Sequence, residues 1–97
     1  MFWATGEWHI EPGREDEFMA AWVDLVAWSK GAFPGRQALL LRSREEPGVF
    51  LSVASWPNDD QWAGWREVPG VEERIDALLR LASWHQRRTF DQVMEQS

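Results

Sequence analysis

The chain has no cysteine, no tyrosine, only two histidines and few cations. Without cysteine there are no disulfides, thiolate nucleophiles or thiolate metal ligands, a composition that fits the cytoplasm. The longest apolar run is FMAAWV, Phe18 to Val23, with ALLL, Ala38 to Leu41, shorter still, and both are far short of a membrane span. The N-terminal MFWATGEWHIEPG lacks the basic and apolar regions of a signal peptide, so a cytoplasmic protein is expected. Ten Lys and Arg against sixteen Asp and Glu leave a net charge of −6, which disfavours nucleic acid as a partner. No Gly-x-Ser-x-Gly elbow is present, so nothing supports a serine nucleophile. The acids cluster in REDEF, REE, NDD and VEER, at expected helix starts and turns. Dipole complementarity or solvation explains them there, and no metal site is expected.

What the chain does have is tryptophan: eight in 97 residues, beside five Phe. Three of them, Trp56, Trp62 and Trp65, fall within SWPNDDQWAGWREVPG, residues 55 to 70. Each indole brings a large apolar body and one N–H donor, and a core this small absorbs only part of the set.

The pattern of apolar residues gives the expected elements. Phe2 to Glu11 alternates as a strand, with Phe2, Ala4, Gly6, Trp8 and Ile10 on one face and Trp3, Thr5, Glu7 and His9 on the other. It stops at Pro12-Gly13. REDEF opens an amphipathic helix carrying Phe18, Ala21, Trp22, Leu25 and Val26, which is expected to end at Lys30-Gly31 before a turn at Pro34-Gly35. QALLLRS and VFLSVASW then form an antiparallel hairpin around Pro47-Gly48, a pair that suits a type II turn. Asn58 is the expected N-cap of a helix with Asp59 and Asp60 in its first turn and Gln61 at N3. Pro69-Gly70 interrupts that helix, and a second segment continues with Val71, Ile75, Leu78, Leu79 and Ala82 as its stripe. SWHQRRTFDQV is the last strand, with Trp84, Gln86, Arg88 and Phe90 on one face and His85, Arg87 and Thr89 on the other.

The order strand, helix, strand, strand, helix, strand is that of an α+β, ferredoxin-like βαββαβ domain with a four-stranded antiparallel sheet, here a single domain over residues 1–97 with its core at about 2–93. Both faces of the hairpin are apolar, so the sheet face away from the helices also needs cover. A homodimer packed sheet to sheet provides it.

The sequence resembles the antibiotic biosynthesis monooxygenase (ABM) family of dimeric α/β-barrel domains. The resemblance rests on the strand ending IEPGREDEF with Trp22 four residues after Phe18, the FPG before the second strand, the third strand ending in SW, and the WPNDDQWAGW helix start. It implies a homodimer whose two sheets form a barrel, each subunit holding a pocket between its helices and its own sheet. Activities in such proteins include cofactor-independent oxygenation of polycyclic phenols, quinol oxidation and haem degradation. The haem-degrading branch places an Asn, a Trp and an iron-ligating His where this chain has Gly6, Trp65 and Ile75. Isoleucine cannot ligate iron, so that activity is not expected.

The expected activity is oxygenation of a planar aromatic, a quinol or polyphenol, by dioxygen without a bound cofactor. The alternative is a non-catalytic small-molecule-binding dimer of the same fold. A His, Arg or Asp projecting into the pocket favours the first, and a wholly apolar lining the second. An atypical haem binder using His9 or His85 is a third reading. The oxygenase reading needs a base, donors for a developing oxyanion and an aromatic slot. Trp65, Trp62, Trp8 and Trp28 are the candidate slot, with Gly6 leaving room for a flat ring. Trp65 divides evenly between pocket and core. His85 and Arg87, two residues apart on the last strand, are the candidate catalytic pair if their face is the helix side. The other placement is exposed or at an interface. Trp3, Trp22, Trp56 and Trp84 are assigned to packing, and His9 to the face toward a partner subunit.

Overall fold

In the computed structural model, which describes residues 1–29 and 37–96, the elements are β1 (Phe2–Ile10), α1 (Glu15–Ser29), β2 (Ala38–Arg42), β3 (Val49–Trp56), α2 (Asp59–Arg66), α3 (Val71–Leu79) and β4 (Ala82–Asp91). The strands form one antiparallel sheet in the order β2-β3-β1-β4. The α+β ferredoxin-like arrangement is therefore as the pattern predicts, with the second helix in two pieces. The expected helix end at Lys30-Gly31, the turn at Pro34-Gly35 and the FPG segment lie outside the described residues.

One sheet face carries the core. Trp8 and Ile10 of β1 and Phe50 of β3 are buried with Phe18 and Leu25 of α1, Leu78 of α3 and Leu81. Phe18 sits between two rings, 5.2 Å from Trp8 and 5.0 Å from Phe50. Full burial of a Phe here contributes roughly 1.5–3 kcal/mol. On the opposite face Leu39, Leu41, Leu51, Trp84 and Phe90 are exposed, and His9 lies edge-on to Trp84 at 4.7 Å. This is the division the alternation predicts for β1 and the hairpin.

The two Pro-Gly turns differ. At Pro12-Gly13 the amide of Arg14 donates to the Glu11 carbonyl at 3.0 Å, and Gly13 has φ 87°, the left-handed second position of a type II turn. At Pro47-Gly48 the amide of Val49 donates to the Glu46 carbonyl at 2.9 Å. Gly48 is not among the positive-φ glycines, so the expected type II turn is not formed there. Glycine permits positive φ without requiring it, and Pro at the second position serves type I equally well.

Asn58 caps α2 as expected, its Oδ1 accepting from the Gln61 amide at 2.9 Å. Gly70, with φ 98°, turns the chain into α3. The stripe assigned to α3 needs correction at its end. Leu79 faces outward at 37% exposed, Leu81 is buried instead, and Ala82 already belongs to β4. Ile10 pairs with Ala82 but His9 with Trp84, so Ser83 is an extra residue in the ladder, its hydroxyl donating to the His9 carbonyl at 3.2 Å. That bulge sets which residues of β4 face the helices.

Candidate functional site

Between the core face of the sheet and the three helices lies a cavity of about 110 Å³. Its floor comes from β1, β3 and β4, and its walls from Trp22, Trp62, Trp65, Ile75 and Leu78 of the helices. Strand pairing places Gly6 opposite Ser52 on one side and Arg87 on the other, and Trp8 opposite His85. Residues paired in this way share a face, so His85 and Arg87 join Gly6 and Trp8 on the cavity side.

Gly6 creates the polar centre of this floor. A Cβ at Gly6 would lie 2.8 Å from Trp8 Nε1, 2.9 Å from Ser52 Oγ and 3.2 Å from His85 Nε2. Three hydrogen-bonding atoms thus converge above Gly6, in a notch too tight for a methyl group. Trp8 Nε1 donates to Ser52 Oγ at 3.0 Å, and the Ser52 hydroxyl donates to the Gly6 carbonyl at 3.4 Å. This holds two of the three in place. The His85 ring stacks on Trp8 with centroids 4.0 Å apart and makes no hydrogen bond to another described residue. Burial pushes the His85 pKa below its ordinary value of 6.5, because desolvation penalises imidazolium. At neutral pH its ring is therefore a neutral proton acceptor.

The mouth is cationic. Arg66 and Arg87 flank the Trp62 ring, their guanidinium carbons 5.7 and 5.8 Å from its centroid. Arg66 is also paired with Glu72 at 2.9 Å. No Asp or Glu is among the lining residues.

Of the residues singled out from sequence, Gly6, Trp8, Trp62, Trp65, His85 and Arg87 come together in this lining. Trp28 does not. It lies over the start of α3, with Arg74 4.0 Å above its ring and two of its ring carbons 3.0 and 3.1 Å from where a Gly70 Cβ would stand. His9 is on the opposite sheet face, its Nε2 2.8 Å from Glu7 Oε2. Trp22 and Trp56, assigned to packing, both line the cavity, and Trp56 does so while 2% exposed and 5.3 Å from Trp65. Ser52 and Arg66 were missed. The place of Ser52 inside an apolar strand run was the available signal. Ile75, where the haem-degrading pattern has its iron ligand, also lines the cavity. Among the described residues no three His, Asp or Glu side chains gather as a metal site, and no helix is long and apolar enough to cross a membrane.

The sheet is ferredoxin-like and its helix-side cavity is lined by tryptophan, histidine and arginine. The model of the antibiotic biosynthesis monooxygenase family matches residues 1–77, and the chain belongs to that family. SnoaB, a cofactor-independent oxygenase from Streptomyces nogalater solved as a variant, is 20% identical, covers 97% of this chain and 94% of its own, and superposes with a TM-score of 0.86. A Deinococcus radiodurans protein assigned to antibiotic biosynthesis monooxygenases is 19% identical over 100% of this chain and 97% of its own, TM-score 0.85. One from Caulobacter crescentus with the same assignment is 20% identical over 96% and 90%, TM-score 0.85. At such identities the likeness shows the fold. No curated protein matches the sequence.

Proposed function

We propose that the protein is a cofactor-independent monooxygenase acting on a planar hydroxyaromatic, a quinol or polyphenol, with dioxygen. The observation that carries this reading is the neutral His85 imidazole in an indole-lined cavity, its Nε2 beside the Gly6 notch. A ring hydroxyl seated there loses its proton to His85, and the phenolate is electron-rich enough to reduce dioxygen. The Ser52 hydroxyl, turned from the Gly6 carbonyl and held by the Trp8 N–H, donates to the oxygen as its charge changes, and Arg87 stabilises the anion. Addition of dioxygen at a ring carbon bearing hydrogen gives a hydroperoxide. Loss of water from it leaves one oxygen atom on the ring as a carbonyl and the other in water, so a quinol and O₂ yield a hydroxyquinone and H₂O. The polar members of the lining favour this reading over binding without turnover.

We further propose that the working unit is a homodimer closed through the exposed apolar face of the sheet, and that the protein acts in the cytoplasm.

Oxygen uptake with a panel of hydroquinones, corrected for autoxidation, tests the function, with ¹⁸O₂ to follow the label. Enzyme-dependent uptake with one ¹⁸O in the product is expected. Uptake no faster than buffer across the panel would end the proposal, and oxidation to unlabelled quinone would reduce it to an oxidase.

A further inference from the structure

The ligand's size and charge follow from the same cavity. An engineered apolar cavity of roughly 150 Å³ holds one benzene molecule, so the 110 Å³ here, open on one side, takes one ring and leaves a substituent at the mouth. The protein is acidic overall, at −6, yet among the described residues the charged ones lining the cavity are arginines, Arg66 and Arg87. Arg66 is neutralised by Glu72. Arg87 has no carboxylate within ion-pair distance among the described residues, and the contact it makes is with the face of Trp62. An Arg guanidinium over an indole in a pocket lining is placed to receive a planar anion.

We infer that the substrate is a one-ring hydroxyaromatic bearing a carboxylate, its hydroxyl against His85 Nε2 and Ser52 Oγ beside Gly6 and its carboxylate on Arg87. Arg87 is the strand partner of Gly6, so both anchoring points are on one row of the sheet. The wall between them, Trp62 and Trp65, is aromatic and suits the ring. A neutral analogue of the same shape loses the charged contact, and a three-ring polyphenol is larger than the 110 Å³ cavity. The inference rests on the oxygenase reading's use of this cavity as the substrate site, and it is independent of turnover.

Isothermal titration calorimetry under argon tests it with 2,5-dihydroxybenzoate, 2,5-dihydroxybenzamide and 1,8-dihydroxyanthrone, on the wild type, Arg87→Gln and Arg88→Gln. Arg88 faces the other side of the sheet, paired with Thr5. The benzoate is expected to bind at least about tenfold more tightly than the benzamide. That preference shrinks with added salt, disappears in Arg87→Gln and persists in Arg88→Gln. Equal binding of benzoate and benzamide, a preference that survives Arg87→Gln, tighter binding of the anthrone, or no binding of any probe overturns the inference. Charge-selective binding without oxygen uptake would sustain it while removing the oxygenase reading. Oxygen uptake from neutral quinols without charge preference would do the reverse.

Discussion

At Gly6 a missing side chain lets Trp8 Nε1, Ser52 Oγ and His85 Nε2 close in over the backbone. Gly6→Ala places a Cβ within 3 Å of two of them, so the floor must shift. A cost of roughly 1–3 kcal/mol in denaturant unfolding is expected, together with loss of hydroquinone binding by titration. Binding equal to wild type would show that the hydroxyl does not sit against this cluster. The lowered pKa of His85 also fixes a pH dependence. Neutral in the fold and more basic when unfolded, His85 contributes stability that is present above pH 6.5 and lost as pH falls through its lower folded value. The rate profile follows the same group, and kcat/KM is expected to reach its plateau by neutral pH with an acid limb below 6.5. A limb centred above 6.5 would assign the base elsewhere. His85 and Arg87 were legible in the sequence as sharing a face of the last strand. Which face was not, because alternation has no sign until the ladder register is known, and the bulge at Ser83 shifts that register.

The second helical region delivers Trp62, Trp65 and Arg66 to the cavity within little more than one turn, so its start matters to the site. Asn58→Ala removes the bond to the Gln61 amide and is expected to cost about 1 kcal/mol in urea unfolding. No change would mean another group caps α2. Gly70→Ala forces a left-handed residue and pushes a methyl against Trp28, so a larger loss, above about 1 kcal/mol, is expected in the same measurement. These caps and breaks were readable because Asn, Pro and Gly act through their own backbone chemistry. The turn type at Pro47-Gly48 was not, since the same dipeptide suits two turns. Trp56 shows the same limit: its place at a strand end reads as packing, and only the tertiary arrangement shows that it also lines the cavity.

Across the whole molecule the sheet has one face under helices and one bearing Leu39, Leu41, Leu51, Trp84 and Phe90, contributed by β2, β3 and β4. An apolar patch of this kind on so small a chain favours association, and the proposed homodimer covers it. Sedimentation equilibrium is expected to give twice the chain mass for the wild type, with Leu41→Glu shifting it toward one. A wild type that sediments as a single chain would remove the dimer. The fold was legible because each element carries its own period. The site was legible only as a set of candidate side chains, because the cavity is made by contacts between residues far apart in sequence, such as Trp8 and His85 at 4.0 Å.

The most direct test of the central claim is the autoxidation-corrected oxygen uptake of wild type and His85→Gln side by side, with circular dichroism confirming that both are folded. The account expects the variant to lose at least about a hundredfold in rate, the usual contribution of a positioned base. A folded His85→Gln protein that consumes oxygen as fast as the wild type would contradict it.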